Sequence, residues 1–438
     1  MILEDFLQKN AGLFPEKTAL ICGGKSLTYS ALWEEVCART VALRNEGIRP
    51  GQVVPFRSSQ SADFLIQYFA IHQAGAVALP LEKDIPQSAF DSIEALYKDF
   101  TPPSGTADIL FTTGTTGRSK GVMISAETII ADAENLIGAM GFCSSQTFII
   151  SGPLNHIGSL SKIYPVVMLG GTLNILDGMK DLPAFFAAVD SAPGQVATFL
   201  VPSAIRMLLS LASKDLAERK DRIAFIETGA APMAHSDMLE LCRILPSTRL
   251  FNTYASTETG IVCTYNYNDG DCLAGCLGLP MRHSSVFITD SGKVACKGKT
   301  LMTGYAAEEA LTSEVLRDGA VYTADNGFLD SQGRLHLLGR DDDVINIGGY
   351  KIAPSEVEDV ALSFPDVKDC ICICESSPLG SLLTLLVVSE SSFPTRALAQ
   401  FLAARLERYK VPVRYRLVPS INRTFNGKLD RKSYRSAF

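Results

Sequence analysis

The first half of the chain alternates stretches of helical periodicity with short apolar runs. Residues 28–47 carry an apolar stripe. Thr28 or Ser30 can cap its start and Gly47 can end it, so the pattern predicts a helix. A second helix is predicted over 61–73. Buried strands are predicted at 53–54, 76–81, 148–151, 171–176, 198–201 and 223–227. Strands that alternate with helices in this way predict an α/β fold with a largely parallel sheet.

The pattern changes after about residue 261. Short apolar runs broken by Gly and Asp follow, and they predict antiparallel strands joined by tight turns. The charged, Gly-rich segment 339–349 predicts a linker or hinge. Beyond it the pattern predicts, in order, a helix, two strands and a helix, at 354 onward, 370–374, 381–388 and 394–409. We therefore expect a large domain over 1–340 and a small α+β domain over 341–438.

Composition narrows the class of protein. Of the 438 residues, 47% are hydrophobic and 20% are charged, which allows a large core and excludes wholesale disorder. The net charge of −7 provides no general attraction to nucleic acid, so any bound phosphate needs a local site. Eleven scattered cysteines favour reduced thiols and a cytoplasmic protein over a disulfide framework. The chain lacks an apolar run of ~18 residues, so no membrane span is predicted.

The densest candidate for chemistry is the segment TTGTTGRSKG at 112–121, which follows an apolar strand. Glycines let backbone amides approach an anion, hydroxyls add donors, and Lys120 adds positive charge, so the segment predicts a phosphate loop. We expect the helix after it to point its amino end at the ligand. A Walker A loop needs Gly-Lys-Ser/Thr, whereas the order here is Ser119-Lys120-Gly121, so a P-loop enzyme is disfavoured. A plain Gly/Thr turn is the alternative.

This segment resembles the phosphate loop of the adenylate-forming superfamily of acyl- and aryl-CoA synthetases, adenylation domains and luciferases. Four further segments resemble other signatures of that family, in the same order along the chain. They are TGAAP at 228–232, NTYASTETG at 252–260, the Asp- and Gly-Arg-Asp-containing stretch at 322–358, and NRTFNGKLDRK at 422–432. The chain most resembles a compact acyl- or aryl-CoA ligase.

The resemblance implies a fold and a reaction. The fold is a large AMP-binding domain of α/β subdomains with a small β-barrel-like subdomain, followed by a mobile cap that carries a catalytic lysine. The reaction joins a carboxylic acid to ATP with release of pyrophosphate, and then transfers the acyl group to CoA. The acid is expected to be succinylbenzoate-like or another small acid. Two alternatives are a stand-alone enzyme that loads a carrier-protein phosphopantetheine and a non-catalytic nucleotide-binding relative.

The resemblance also assigns nucleotide-binding residues by position. Glu258 would bind Mg²⁺, and Thr257 would contact the α-phosphate. Asp325 and Arg340 would bind the ribose hydroxyls. The β- and γ-phosphates would be held by Thr112, Thr113, Gly114, Thr115, Thr116, Gly117 and Lys120. The adenine pocket would be formed by Gly229, Ala230, Ala231, Asn252, Thr253 and the stacking ring of Tyr254.

Four of the roles that the resemblance assigns have ordinary structural alternatives. Lys428 would stabilise charge in the transition state, although Asn-Gly-Lys is also a plain turn with a solvated lysine. His156 would lie beside the carboxyl group of the acid, although it can also be a core histidine. Asp325 can be a turn residue, and Glu258 a carboxylate at a helix end.

The remaining assignments concern the cap and the acid. Asp342 would be the hinge, and Gly348 and Gly349 would line the thiol tunnel. Residues 157–166 contain no acidic side chain, which disfavours a free α-amino acid as substrate, and Lys162 raises the option of a second carboxylate on the acid. Two positions depart from the family pattern. They are Ala255, where glycine is expected, and Asn346, where lysine is common.

Overall fold

A computed structural model describes residues 2–112, 120–340, 343–347, 350–377, 380–389, 394–424 and 429–435. Its helices are α1 (Leu3–Leu13), α2 (Tyr29–Asn45), α3 (Ala62–Gln73), α4 (Gln87–Tyr97), α5 (Ala126–Met140), α6 (Ile157–Leu160), α7 (Ile163–Leu169), α8 (Leu182–Ser191), α9 (Pro202–Leu211), α10 (Ser213–Glu218), α11 (His235–Ile244), α12 (Glu309–Val315), α13 (Pro354–Leu362), α14 (Thr395–Ala403) and α15 (Arg431–Arg435). Short 3₁₀ turns cover Lys220–Arg222 and Arg408–Lys410.

The strands of the large domain come first in the chain. They are β1 (Thr18–Cys22), β2 (Lys25–Thr28), β3 (Val53–Arg57), β4 (Val77–Leu81), β5 (Thr106–Thr112), β6 (Lys120–Ser125), β7 (Thr147–Ile150), β8 (Thr172–Ile175), β9 (Val196–Leu200), β10 (Ile223–Thr228), β11 (Arg249–Ser256), β12 (Gly260–Asn266), β13 (Cys276–Pro280), β14 (Ser284–Ile288), β15 (Lys293–Gly298), β16 (Gly304–Tyr305), β17 (Leu316–Arg317), β18 (Ala320–Leu329) and β19 (Leu335–Arg340). After them come β20 (Ile345–Ile347), β21 (Tyr350–Ile352), β22 (Asp369–Ser377), β23 (Gly380–Val388) and β24 (Arg414–Leu417).

The predicted alternation of helices and strands is confirmed. The helix predicted over 28–47 is α2, and Thr28 caps it by accepting a hydrogen bond from the Ala31 amide at 3.2 Å. Ser61 caps α3 in the same way through the Phe64 amide. Each cap satisfies one of the amides that the first turn of a helix leaves without a partner.

Two sheets form the large domain. In the first, β8, β7, β9, β10 and β11 are parallel neighbours, and this part matches the predicted parallel sheet. The sheet continues through β12, β13, β19, β18, β15 and β14, whose pairs are antiparallel, as expected after residue 261. The second sheet has the order β16-β6-β5-β4-β3. The fold class is therefore α/β.

One prediction about the phosphate loop is wrong. The described chain resumes at Lys120 as strand β6, which pairs antiparallel with β5 on one side and with β16 on the other. Helix α5 begins only at Ala126, after Ser125 caps it. A six-residue strand spans roughly 20 Å, so the amino end of α5 lies far from Lys120.

The cap has its own core. Helices α13 and α14 pack with β22 and β23 around residues such as Val357, Leu385, Leu398 and Leu402. The helix predicted over 394–409 is shorter than expected because Glu407 is extended (φ −63°, ψ 145°), and only a 3₁₀ turn follows. The domain boundary at 340/341 stays a prediction.

Few polar groups connect the cap with the large domain. Arg206 on α9 contacts Asp237 on α11 and reaches Asp369 on the cap at 3.3 Å. The His235 amide donates to Asp359 Oδ1 at 2.7 Å. Among the described residues, none of the helices combines the length and apolar content that crossing a bilayer requires.

Candidate active site

The turn between β11 and β12 presents Thr257 and Glu258. Ser256 and Thr259 close this turn reciprocally, since each backbone amide donates to the other residue's hydroxyl oxygen at 3.1 Å. Thr257 and Glu258 lie between them, and both are partly exposed. Glu258 is therefore a turn residue rather than the end of a helix. Because Ser256 and Thr259 close the turn, the Glu258 carboxylate is held outside the core.

Gly260 and Asp132 support the base of the same turn. Gly260 has φ +65°, and a Cβ there would lie 2.5 Å from the Thr300 carbonyl oxygen, so the position requires glycine. Asp132 is buried and accepts a hydrogen bond from the Ile261 amide at 2.8 Å. Burial raises the pKa of Asp132 to about 8, although that amide and the charge of Lys162 oppose the shift.

Glu258 is linked to the phosphate-loop strand through Tyr305. The Tyr305 hydroxyl donates to Glu258 Oε1 at 3.0 Å, and Lys120 Nζ lies 5.4 Å from the centroid of the Tyr305 ring. Burial and the neighbouring Glu258 carboxylate raise the pKa of Tyr305, which stays protonated and can donate. The register of β16 on β6 sets this arrangement, because Tyr305 pairs with Val122. Tyr305 thus contacts a cation through its ring and a carboxylate through its hydroxyl, and the two come from distant segments.

Asp325 is the centre of a second group. Its Oδ2 accepts a hydrogen bond from the Tyr254 hydroxyl at 2.7 Å, and its Oδ1 accepts one from Arg340 Nε at 2.8 Å. Asp325 and Arg340 are directly paired residues on β18 and β19. Burial opposes the charge of Arg340, but Asp325, followed by Tyr254 and Glu258, raises its guanidinium pKa. The charge of Glu258 thus contributes to the electrostatic surroundings of Arg340.

The predicted adenine segment follows β10. Gly229 is buried, and a Cβ there would lie 3.0 Å from the Thr253 carbonyl oxygen. Ala230 is exposed with φ +68°, a left-handed conformation that is uncommon for alanine and occurs at functional sites. Ala231 is partly exposed. The segment thus presents its backbone, which suits the wall of a flat pocket.

The polar side chains of Asn252 and Thr253 on β11 form hydrogen bonds within the sheet. Asn252 Nδ2 donates to the Cys276 carbonyl oxygen at 3.1 Å, and Thr253 Oγ1 pairs with Thr264 Oγ1 at 3.2 Å. Tyr254 is buried apart from a small fraction of its surface. Their roles toward adenine stay predictions.

His156 lies at the start of α6 beside a carboxylate that the sequence analysis missed. Its Nε2 is 3.0 Å from Glu82 Oε1. Glu82 follows β4 directly, far from His156 in the chain. Gln60 anchors the loop before His156 by donating to the carbonyl oxygens of Gly152 (2.8 Å) and Leu176 (3.1 Å).

The prediction for Lys162 is corrected. Its Nζ is 2.7 Å from Glu227 Oε1, and each of the two side chains is only 1% exposed. A buried lysine paired with a buried carboxylate has its charge neutralised inside the protein, so it cannot recognise a second carboxylate on the substrate. Lys162 Nζ also lies 5.2 Å from the centroid of the Phe199 ring.

Phe199 itself borders both the segment after His156, which is predicted to contact the acid, and the predicted adenine segment. A Cβ on Gly158 would lie 3.2 Å from its ring, and one on Gly229 would lie 3.6 Å from it. The ring is partly exposed. Phe199, Tyr305 and Glu82 belong to no recognised motif, and only the fold brings them to the site.

Several predicted site residues lie outside the described residues. They are Thr113, Gly114, Thr115, Thr116, Gly117, Asp342, Gly348, Gly349 and Lys428. Thr112 is described as the last residue of β5 and pairs with Lys120, the first of β6. The two ends of the predicted phosphate loop are therefore adjacent.

The comparisons agree on one family. A model for AMP-binding enzymes matches residues 7–95 and 90–306, and a model for the AMP-binding enzyme C-terminal domain matches 356–428. The 2-succinylbenzoate–CoA ligase of Listeria innocua is 25% identical, covering 98% of both chains. The 2-succinylbenzoate–CoA ligase of Bacillus licheniformis is 27% identical with the same coverage.

Solved structures match over nearly the whole chain. ATP-bound MatB from Rhodopseudomonas palustris has a TM-score of 0.87 at 23% identity, covering 100% of this chain and 99% of its own. The O-succinylbenzoate CoA synthetase MenE from Bacillus subtilis, in complex with ATP and magnesium, has a TM-score of 0.85 at 21% identity, covering 98% and 99%. These matches show that the fold is shared.

Proposed function

Because the chain belongs to the family of AMP-binding enzymes, we propose that it is an AMP-forming ligase that joins a small carboxylic acid to the thiol of CoA. In the first half-reaction a carboxylate oxygen attacks the α-phosphorus of ATP. The bond from that phosphorus to the bridging oxygen breaks, and pyrophosphate leaves. In the second, the CoA sulfur attacks the carbonyl carbon, AMP leaves, and the thiol proton passes to solvent.

The observation that carries this proposal is the presence of two charged groups, each of which the fold assembles from separate segments. Glu258, Tyr305 and Lys120 form one, and Asp325 and Arg340 anchor the other. A reaction between two anions needs charge neutralisation more than an acid or a base. Lys120 supplies positive charge in one group and Arg340 supplies it in the other. By resemblance, Lys428 supplies more.

The ribose role of Asp325 and Arg340 suits their pairing. Asp325 accepts a hydrogen bond from Arg340 Nε, and a carboxylate has lone pairs left to accept further hydrogen bonds from sugar hydroxyls. Tyr254 holds the other carboxylate oxygen and therefore sets the plane of the group. The geometry of the pair supports Asp325 as the acceptor for the ribose hydroxyls.

The residues present suit a magnesium ion that arrives with the nucleotide. Mg²⁺ is usually held by one or two carboxylates together with substrate phosphates, rather than by an all-protein cage. Across the described ranges, no three His, Cys, Asp or Glu side chains converge as a metal site. Glu258 offers one carboxylate, with Thr257 beside it. Bound there, Mg²⁺ would offset phosphate charge, while Tyr305 keeps the Glu258 carboxylate in place.

The acid that we propose is small and aromatic or apolar. Relatives that cover the chain are named 2-succinylbenzoate–CoA ligases, and the partly exposed Phe199 ring lies between the acid and adenine segments. Residues 157–166 carry no acidic group to pair with an α-ammonium group. A succinylbenzoate-type acid is therefore the first candidate. Its second carboxylate would need a partner other than Lys162.

The proposal is tested by pyrophosphate release against a panel of acids. The panel contains 2-succinylbenzoate, benzoate, a short dicarboxylate and an α-amino acid, each with ATP, Mg²⁺ and CoA. We expect release with an aryl acid, formation of its CoA ester, and no release with the amino acid. Adenylate formation without a CoA ester would favour a carrier protein as acceptor. Absence of ATP–pyrophosphate exchange with every acid would contradict the proposal.

A further inference from the structure

Glu82 and His156 meet at the predicted acid pocket, although 74 positions separate them in the chain. The hydrogen bond from His156, and a further one from Asn155, lower the pKa of Glu82 despite partial burial. Glu82 is therefore ionised at neutral pH. An ionised carboxylate has no proton to donate, so His156 Nε2 must be the donor. The contact thus fixes both the ring orientation and the nitrogen that carries the proton.

The backbone on both sides of Glu82 is held in place. Leu81 O accepts a hydrogen bond from the Ser58 amide at 2.7 Å. Arg57 Nη1 donates to the carbonyl oxygens of Lys83 (3.1 Å) and Ile85 (2.5 Å). Glu82 is therefore presented from a fixed point at the end of β4.

The backbone of His156 is also held in place. Its carbonyl oxygen accepts the first helical hydrogen bonds of α6, from the Ser159 and Leu160 amides at 3.0 and 2.9 Å. The loop before it passes so close to Ser159 that a Cβ on Gly152 would lie 2.3 Å from Ser159 Oγ. With both backbones fixed, the hydrogen bond to Glu82 restricts the rotation of the imidazole ring.

The pair contributes little to stability. The Glu82 side chain is 43% exposed and that of His156 19%, and pairs that remain in contact with water contribute little to stability. The loss of Glu82 should therefore leave the fold intact. An effect of its loss on acid binding would then report on the orientation of the ring.

We propose that Glu82 is a positioning residue that holds the His156 imidazole in the orientation in which it meets the carboxyl group of the acid. The inference rests on the proposed function. It goes beyond the motifs, since the segment after β4 matches none of them. Among the described residues, Glu82 pairs with His156 and forms no hydrogen bond or ion pair with Glu258, Asp325 or Arg340, so we expect its loss to affect the acid.

The test uses four variants: Glu82→Ala, Glu82→Gln, His156→Ala and the Glu82→Ala/His156→Ala double variant. Glu134→Ala is the matched control, because Glu134 forms an exposed pair with His283 of nearly the same burial, away from the site. Pyrophosphate release gives KM for the acid, KM for ATP and kcat. Thermal unfolding reports on stability.

We expect Glu82→Ala to raise KM for the acid about tenfold, the low end for loss of a hydrogen bond to a charged group. KM for ATP and Tm should stay unchanged. Glu82→Gln keeps an acceptor oxygen for Nε2 and should restore most of the loss. The double variant should be no worse than His156→Ala, because the two residues act as one unit. Glu134→Ala should behave like the wild type.

An unchanged KM for the acid in Glu82→Ala would overturn the inference while leaving the proposed function intact. Equal rises in both KM values together with a lower Tm would overturn it as well, since they indicate a structural role. Additive effects of the two substitutions on KM for the acid in the double variant would also overturn the inference. A wild-type enzyme that activates no acid would overturn the proposed function, and the inference with it.

Discussion

Asp325 on β18 connects the neighbouring strand β19 with β11, which is distant in the chain. One carboxylate oxygen accepts from Tyr254 on β11, and the other accepts from Arg340 on β19. Removal of its charge would leave the partly exposed Arg340 guanidinium without its ion-pair partner. Such a loss costs about 1.5–3 kcal/mol for a hydrogen bond to a charged group.

We therefore expect Asp325→Asn to raise KM for ATP roughly 10- to 100-fold while KM for the acid changes little. The physical reason is that Asn cannot accept from Tyr254 and Arg340 as an ionised carboxylate does. Steady-state kinetics with either substrate varied provides the measurement. Asp330→Asn is the control, since Asp330 forms a comparable pair with Arg334 in the turn after β18. An unchanged KM for ATP would contradict the assigned role.

The sequence predicted the residues of the candidate site better than it predicted the residues that contact them. The motif around Glu258 was recognisable because Ser256 and Thr259 build a local turn. Tyr305 and Glu82 were missed because their contacts depend on strand pairing and on loop packing between distant segments. The burial of Lys162 with Glu227 was missed for the same reason, since a lysine in an apolar stretch does not reveal its counter-ion.

At the scale of elements, a buried charged group connects α1, α3 and β5. His72 on α3 contacts Glu4 on α1 and Asp108 on β5, both at 2.9 Å. Tyr68 donates to the other oxygen of Asp108 at 2.8 Å. Burial opposes the charge of His72, but the two carboxylates outweigh it and raise its pKa to about 10. The stabilisation is therefore fully present below about pH 6.5, the unfolded value, and is lost as pH rises through 10.

From this we expect the free energy of unfolding to fall between pH 6.5 and pH 10, by on the order of a few kcal/mol. His72→Gln should lack that part of the pH dependence, because glutamine does not titrate. Urea unfolding at several pH values measures it. His283→Gln, at a half-exposed His–Glu pair, should keep the wild-type dependence. Parallel pH profiles for wild type and His72→Gln would show that the group does not act as described.

Elements were predictable where local periodicity decides them. Helices α2 and α3 and the buried strands follow from spacing and from the capping residues Thr28 and Ser61. The segment after the phosphate loop was mistaken for a helix start because a glycine-rich loop often precedes one. Its buried residues instead form strand β6 between β5 and β16. The pairing with β16 involves Tyr305, which is at least 180 positions away from every residue of β6.

At the scale of the whole molecule, the cap rests on the large domain through polar contacts. Arg206 contacts Asp369, and the His235 amide contacts Asp359. Polar contacts of this kind at a domain interface are weak and permit relative motion. This suits the prediction that the cap turns about Asp342 between the half-reactions. The order of the domains was predictable because each domain has a separate hydrophobic pattern. The contacts between the domains could not be predicted from the sequence.

The central claim is that the carboxylate of the acid attacks the α-phosphorus of ATP before CoA takes the acyl group. An acid labelled with ¹⁸O at both carboxylate oxygens tests this most directly, with the products analysed by mass spectrometry after one turnover. The account predicts that AMP gains one ¹⁸O atom, that pyrophosphate gains none, and that the CoA ester retains one. Formation of ADP with ¹⁸O in inorganic phosphate, or of unlabelled AMP, would contradict it.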